Sequence, residues 1–330
     1  MDVNDKIQVL SLESFMTDTC NLRCEHCAAS SPYLGDANLP DLELFERSLH
    51  CLAPVLHSEQ IKFVGGEPLL NKELPRFMQA ARDSGMFDRV RVTTNGVLLP
   101  HMPDDFWELA DVVEISHYSG ARNVPSADTL EELREKAASF GTRLEVNRIH
   151  SFMRAVSEER IEDPDLVQEI FSNCGEAHHW SCHLLYGNRL YRCSRVHALD
   201  RYLDVRCVEH PPFTLEDGLV IDARPALASD IRRYLSSRTP LEACSFCLGT
   251  SGAWVRNRQL SREEVRSRKE QPPEAFQRSW LAPPQEAVLR SMIRNWEAVR
   301  ETTNFFDVDG IGGDPPGKDA EGRAEADQKT

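Results

Sequence analysis

Alternating strand-like and helix-like segments over the first 150 residues constrain the fold more than any other feature of the sequence. Strands are predicted at 7–16, 60–66, 89–96, 111–120 and 142–150, and helices at 41–56, 71–85, 104–110 and 128–141. Such a succession requires parallel strands with right-handed crossovers, in either a barrel or a doubly wound sheet. In both architectures, the chemistry lies at the carboxyl ends of the strands.

Caps at the helix ends support these assignments. Asp41 is a candidate N-cap for the first helix, and Gly85 is expected to end the second. The helix at 128–141 is predicted to begin at an Asp128 N-cap, with Glu131 three residues later, and to stop at Gly141.

Three cysteines follow the first predicted strand, Cys20, Cys24 and Cys27 in the segment CNLRCEHC. Zinc fingers and ribbons usually offer two separated pairs of ligands, whereas these three share one loop and His26 is the only other donor nearby. Iron–sulfur cubanes normally take four thiolates. Three thiolates would leave one iron open to a substrate or a cofactor.

Other polar motifs also fall at the ends of strands. The segment GGEP at 65–68 follows the second strand, VTTNG at 92–96 ends the third, and Ser116 lies on the fourth. Asn147 and Arg148 end the fifth strand, where an arginine either pairs with an anionic ligand or points into solvent. Taken singly, Gly-Gly and Asn-Gly after a strand are equally typical of plain turns.

Together, CNLRCEHC and the GGEP motif about forty residues later resemble the radical S-adenosylmethionine (SAM) superfamily. The resemblance implies that Cys20, Cys24 and Cys27 bind a [4Fe–4S] cluster whose open iron chelates SAM, and that reductive cleavage of SAM yields a radical that abstracts a hydrogen atom. It also implies a partial (βα)6 TIM-like barrel with a small C-terminal cysteine-rich hairpin and helix subdomain, an α/β fold. The implied SAM contacts are Gly65, Gly66, Glu67, Pro68, Thr94, Asn95, Ser116, Asn147 and Arg148.

A second group of cysteines lies in the C-terminal half. The segment at 180–195 predicts a β-hairpin around Gly187-Asn188, with Tyr186 facing Arg189 and Cys182 opposite Cys193. Cys244 and Cys247 then form a CxxC pair. Two pairs of cysteines suit either zinc or an iron–sulfur cluster, and the spacing alone does not decide between them.

A hairpin pair followed by CxxC is similar to the twitch subdomain of radical SAM enzymes, a short form of the SPASM domain. This resemblance implies an auxiliary [4Fe–4S] cluster on Cys182, Cys193, Cys244 and Cys247. Cys174 is an alternative first ligand or, as in radical epimerases, a hydrogen-atom donor. The predicted domains are the partial barrel at 1–172, the twitch/SPASM-like subdomain at 173–260, a helical extension at 261–305 that includes a closing helix at 286–301, and a disordered tail at 306–330.

An auxiliary cluster with four protein ligands can accept an electron from a substrate radical, which favours a two-electron oxidation. Among twitch-bearing relatives, this resembles 2-deoxy-scyllo-inosamine dehydrogenase, an aminocyclitol oxidase of antibiotic biosynthesis. Dehydration and epimerisation of sugar-like molecules are related outcomes. The alternatives are a maturase that crosslinks or epimerises a ribosomally made peptide and, more remotely, a zinc or iron–sulfur scaffold without catalysis. Few residues precede Cys20, which favours a small substrate over a peptide.

Charge and composition exclude several partners. The chain carries 38 Lys and Arg against 53 Asp and Glu, a net charge of −15 that argues against nucleic acid. No long apolar run or secretory signal is evident, so we expect a cytoplasmic protein without a membrane anchor, in a compartment where ten cysteines stay reduced. Radical SAM chemistry also implies a flavodoxin- or ferredoxin-type reductant.

Overall fold

A computed structural model describes residues 6–282 of the 330-residue chain, apart from residues 36, 37, 119, 120 and 122. The predicted closing helix at 286–301 and the tail at 306–330 lie outside the described residues.

The strands are β1 (Ile7–Val9), β2 (Leu12–Phe15), β3 (Leu56–Val64), β4 (Phe87–Thr94), β5 (Val112–Tyr118), β6 (Arg143–Ile149), β7 (Ser151–Met153), β8 (His183–Tyr186), β9 (Arg189–Tyr191), β10 (Gly218–Val220) and β11 (Trp254–Arg256). The α-helices are α1 (Leu42–Leu52), α2 (Leu74–Asp83), α3 (Asp104–Leu109), α4 (Ala127–Ser139), α5 (Pro164–Ser172), α6 (Gly175–His178), α7 (Arg195–Val205), α8 (Phe213–Glu216), α9 (Leu227–Ser236) and α10 (Arg262–Glu270).

The main sheet has the strand order β10-β9-β8-β2-β3-β4-β5-β6, with β1 paired to β3. From β2 to β6 the strands follow chain order, and each neighbouring pair is parallel. A doubly wound sheet reverses its strand order at a switch point. The sequential order therefore matches the partial-barrel alternative and confirms the predicted α/β fold.

The C-terminal hairpin continues this sheet. Strand β8 pairs in parallel with β2, with Leu12 opposite His183, and β9 then pairs antiparallel with β8. The sixth parallel strand therefore lies beside the first strand of the barrel instead of following the fifth. The sheet includes strands from both sides of the predicted boundary between 172 and 173, since β8 pairs with β2. The division into domains stays a prediction.

Two local predictions need correction. The first predicted strand, 7–16, is divided into β1 and β2, and β1 pairs with β3 instead of extending the barrel strand. The N-cap of α4 is Ser126, not Asp128. Ser126 is extended and its side chain accepts from Thr129 N, so Asp128 lies within the first turn, where its charge favours the helix dipole.

Helices α1 and α2 cover the sheet through aromatic packing. Phe45 of α1 lies between Phe63 of β3 and Phe77 of α2, with ring centroids 6.2 and 5.3 Å away. Asp41 caps α1 as predicted, accepting from Leu44 N at 2.9 Å. This packing fixes the sheet, whose carboxyl ends carry the loops described below. Among the described helices, none has both the length and the apolar character needed to cross a membrane.

Candidate cofactor and substrate site

The three loop cysteines line one cavity at the carboxyl ends of the barrel strands. This cavity, here called the cysteine cavity, has a volume of about 190 Å³. Five of the predicted SAM contacts line it as well, namely Gly65, Gly66, Thr94, Asn95 and Ser116. The structure therefore brings the cysteine loop together with the loops after β3 and β4 and with the carboxyl end of β5.

The glycines of GGEP allow this loop to touch the backbone just before Cys20. Gly66 N donates to Thr17 O at 2.7 Å, and Glu67 N donates to Thr19 O at 2.9 Å. A Cβ atom on Gly66 would lie 2.1 Å from Thr19 O, which is too close for any side chain. Glycine at position 66 therefore allows the GGEP backbone to lie directly against the backbone before Cys20.

Glu67 and Pro68 support the site from behind. The Glu67 carboxylate is fully buried and accepts from Thr94 Oγ1 at 2.6 Å, Asn95 N at 2.8 Å and Leu69 N at 3.2 Å. Burial raises the pKa of Glu67 to about 7. Pro68 begins a short 3-10 turn. The residues that line the cysteine cavity include the two glycines but neither Glu67 nor Pro68.

Asn95 connects the β4 loop to the first cysteine. Its side-chain amide donates to Asn21 Oδ1 at 2.6 Å and lies 3.6 Å from Cys20 Sγ. Burial raises the pKa of both Cys20 and Cys24 to about 12. Thiols in such surroundings need a cationic partner before they lose their protons, as iron–sulfur or zinc binding supplies.

The last two predicted SAM contacts lie elsewhere. Asn147 donates to Glu114 Oε1 at 3.0 Å, in a network on the sheet that also contains Arg91 and Glu145. Arg148 is exposed. Neither residue lines the cysteine cavity.

The cavity also has charged lining that the sequence did not indicate. Glu13 of β2 lines it, as do Glu176 and Arg195, whose side chains form a buried ion pair with Arg195 Nε 2.9 Å from each Glu176 oxygen. Burial raises the pKa of Glu13 despite Lys62 Nζ at 3.8 Å. An acidic residue in a strand buried on both faces, LESF, was the available signal for Glu13.

Four of the five C-terminal cysteines of interest lie near one another. Cys244 packs in the small apolar cluster that contains Cys174. A Cβ atom on Gly249, two residues after Cys247, would lie 3.1 Å from Cys174 Sγ. Burial raises the pKa of Cys193, and the charges of Glu176, Cys174 and Cys247 raise it further.

Cys182 shares only some of these neighbours. The hairpin has the predicted register, with Tyr186 opposite Arg189, and Ser194 N donates to Cys182 O at 2.9 Å. Burial raises the pKa of the Cys182 thiol, and Glu13 raises it further while Lys62 lowers it. Glu176 raises and Arg195 lowers the pKa of this thiol, as they do for Cys193 and Cys174, whereas Cys174 also packs with Cys244. In the part of the chain that the structure describes, no three His, Cys, Asp or Glu side chains converge on a point where a single metal ion would sit.

A larger cavity adjoins the first. It has a volume of about 610 Å³ and shares Cys27 and Arg195 with the cysteine cavity. We call it the C-terminal cavity, because residues from 258 to 280 form much of its wall. Its lining combines arginines and glutamates with aromatic rings, including Arg154, Arg268, Glu274, Tyr202, Trp280 and His26.

Comparison with known sequences finds a family match in the first part of the chain. Residues 14–149 match the Radical SAM superfamily. This match covers less than half of the chain. The matched segment contains the three loop cysteines, the GGEP motif and the carboxyl ends of β4 and β5.

The individual relatives that are similar to this chain have names that describe different reactions. A GTP 3',8-cyclase of Chlorobaculum tepidum is 34% identical over 130 residues, which cover 39% of this chain and 35% of that protein. A 7,8-dihydro-6-hydroxymethylpterin dimethyltransferase of Methanocaldococcus jannaschii is 32% identical over 100 residues, or 30% of this chain and 20% of that protein. Among solved structures, BtrN in complex with AdoMet and 2-DOIA is 13% identical with a TM-score of 0.40, and the match covers 70% of this chain and 84% of BtrN. The chain thus spans about a third or less of the length of the two curated relatives.

Proposed function

We propose that this protein is a radical SAM enzyme in which Cys20, Cys24 and Cys27 hold a [4Fe–4S] cluster that binds SAM. The observation that supports this proposal is the cysteine cavity, which gathers the three thiols, the loops after β3 and β4 and the carboxyl end of β5. When bound, the reduced cluster and SAM supply a 5′-deoxyadenosyl radical that takes a hydrogen atom from a substrate carbon. A flavodoxin- or ferredoxin-type protein is the proposed electron donor.

The chain's own residues prepare this site by holding the loop. The GGEP backbone N–H groups donate to Thr17 O and Thr19 O in the turn before Cys20, and the Asn95 amide donates to Asn21 Oδ1 beside the first thiol. The Glu67 carboxylate holds Asn95 in place by accepting from the backbone N–H of Asn95. Such supporting contacts orient metal ligands and tune their basicity.

We further propose that Cys174, Cys193, Cys244 and Cys247 hold an auxiliary [4Fe–4S] cluster, with zinc as the competing occupant. The packing of Cys174 with Cys244, and the charges around Cys193, support Cys174 over Cys182 as the first ligand. An auxiliary cluster, when bound, supplies a one-electron acceptor. Cys174 is then a ligand and not a hydrogen-atom donor.

The substrate is proposed to bind in the C-terminal cavity. A volume of about 610 Å³ is in the range of small-molecule sites. Its lining carries both cationic and anionic groups, several already paired, such as Arg154 with Glu274 at 2.6 Å. Such a mixed polar lining suits a hydroxylated or aminated small molecule, such as a sugar or an aminocyclitol, better than it suits an apolar molecule. Oxidation of one of its carbon centres is the proposed reaction, with dehydration or epimerisation as related outcomes.

The test is anaerobic reconstitution followed by assays of iron, sulfide and 5′-deoxyadenosine with dithionite as reductant. Wild type should release 5′-deoxyadenosine, Cys24→Ala should not, and Cys51→Ala, a thiol that packs on the core from α1, should behave as wild type. Absence of SAM cleavage by iron-loaded wild type would refute the proposal.

Substrate class is tested with ring-deuterated aminocyclitols and amino sugars. Transfer of deuterium into 5′-deoxyadenosine identifies the attacked class, and a ketone product in equal amount supports oxidation. Deuterium transfer only from a labelled peptide would instead support the peptide-maturase alternative.

A further inference from the structure

We propose that Gln259 is a positioning residue for the cysteine loop, which it reaches from the C-terminal part of the chain and whose Cys24 sulfur it holds by a hydrogen bond. This inference rests on the proposed [4Fe–4S] cluster at Cys20, Cys24 and Cys27. It adds a residue outside the matched segment 14–149 to the residues that support this cluster.

The backbone around Gln259 runs antiparallel to the cysteine loop. Glu25 N donates to Arg258 O at 3.0 Å, and Leu260 N donates to Arg23 O at 2.7 Å. Cys24 and Gln259 are paired as an isolated antiparallel bridge. Residues 258–260 therefore align with residues 23–25 as a short strap across the loop.

The side chain of Gln259 binds both the backbone and the thiol of this loop. Its Oε1 accepts from Arg23 N at 2.8 Å, and its Nε2 lies 2.9 Å from Cys24 Sγ. A backbone N–H can only donate, so the amide oxygen must face Arg23. The amide NH₂ is then directed at the sulfur, and the assignment of the two atoms follows from chemistry.

A donor at this sulfur has a physical consequence for the cluster. An N–H group that points at a ligating thiolate withdraws electron density, and hydrogen bonds to sulfur are one of the terms that set iron–sulfur potentials. Gln259 should therefore make the SAM-binding cluster easier to reduce. Because the same amide holds Arg23 N, it should also order the loop before any iron is present.

Two variants separate the two contacts. Gln259→Leu removes both. Gln259→Glu retains an oxygen for Arg23 N but places an acceptor, in its charged form, where the donor faced the sulfur. Gln79→Leu is the matched control, because Gln79 lies exposed on α2, where its side chain donates to Asp83 Oδ1 at 2.7 Å.

Amide hydrogen exchange of the iron-free protein tests the positioning. In Gln259→Leu, the Arg23 amide should exchange roughly tenfold faster than in wild type, whereas Gln259→Glu and Gln79→Leu should retain protection. Unchanged exchange in Gln259→Leu would overturn the positioning role, and this arm needs no cluster.

Redox titration of the reconstituted proteins, followed by EPR, tests the contact with sulfur. The signal that SAM perturbs identifies the SAM-binding cluster. Its midpoint potential should become more negative in both Gln259 variants, more so in Gln259→Glu, and should be unchanged in Gln79→Leu. Equal potentials in all loaded proteins would overturn the inference alone, whereas wild type that binds no iron would overturn the proposed function.

Discussion

The carboxylate of Glu67 accepts a hydrogen bond from the hydroxyl of Thr94 at 2.6 Å and thereby joins the loops that follow β3 and β4. Both loops contribute to the cysteine cavity, yet Glu67 itself does not line it. The motif resemblance implies that Glu67 contacts SAM. In this structure, Glu67 binds Thr94 and Asn95, which line the cysteine cavity.

The buried state of Glu67 predicts a pH dependence of stability. Its pKa is raised from 4.5 to about 7, mainly by burial, so the folded state binds this proton more tightly than the unfolded chain. The free energy of unfolding should then fall as pH rises from 4.5 to 7, by at most about 1.4 kcal/mol per pH unit from this group. Urea unfolding of the iron-free protein measures this slope.

Glu67→Gln should lose this part of the slope. It should also lower the free energy of unfolding by about 1–3 kcal/mol at low pH, because the NH₂ group of the glutamine amide cannot accept a hydrogen bond where a Glu67 oxygen now accepts one. Glu73→Gln is the control, since Glu73 is half exposed and contacts Arg76 at the surface. Identical slopes for wild type and Glu67→Gln would contradict the assigned pKa.

Gly66→Ala should prevent the GGEP loop from closing on the cysteine loop. The added Cβ would lie 2.1 Å from the backbone oxygen of Thr19, which cannot move without shifting Cys20. We expect a loss of about 2–4 kcal/mol in the free energy of unfolding. Gly35→Ala, where no atom lies within 4 Å of the added Cβ, should change stability by less than about 0.5 kcal/mol. A stable Gly66→Ala protein with normal iron content would show that the close contact is dispensable.

Single cysteine variants should distinguish Cys174 from Cys182 as the auxiliary ligand. With two cubanes, wild type should contain about eight irons per chain. Cys174→Ala should retain about four, whereas Cys182→Ala should retain nearly all of them. The reverse pattern would restore Cys182 as the ligand, and about four irons plus one zinc in wild type would favour zinc at this site.

The Glu176–Arg195 pair should respond more strongly to single than to double substitution. Both side chains are about one-tenth exposed, at 10% and 11%, so Arg195→Met leaves a buried, unpaired carboxylate. We expect a loss of about 3–5 kcal/mol for this variant. Glu176→Gln combined with Arg195→Met should recover part of that loss in a double-mutant cycle by chemical denaturation. Additive losses would show that the two groups do not interact.

Much of the barrel follows from local sequence signals. The strand and helix alternation, the Asp41 cap and the hairpin register around Gly187-Asn188 depend on residues close together in the chain, and the structure has each of them. The sequence predicted Asp128 as the N-cap of α4, whereas the structure has Ser126. Ser and Asp are both good N-caps, so local patterns distinguish poorly between them when they lie close together.

The sequence by itself determined that the strands of the first 150 residues run parallel and that Cys20, Cys24 and Cys27 share one loop after the first of them, because hydrophobic period and motif spacing are local properties. Only the tertiary structure decided that β8 joins β2, that Cys174 packs with Cys244, and that Gln259 reaches Cys24. These relationships join segments far apart in the chain, and the packing of the whole sheet sets their distances. No spacing rule along the chain encodes such contacts.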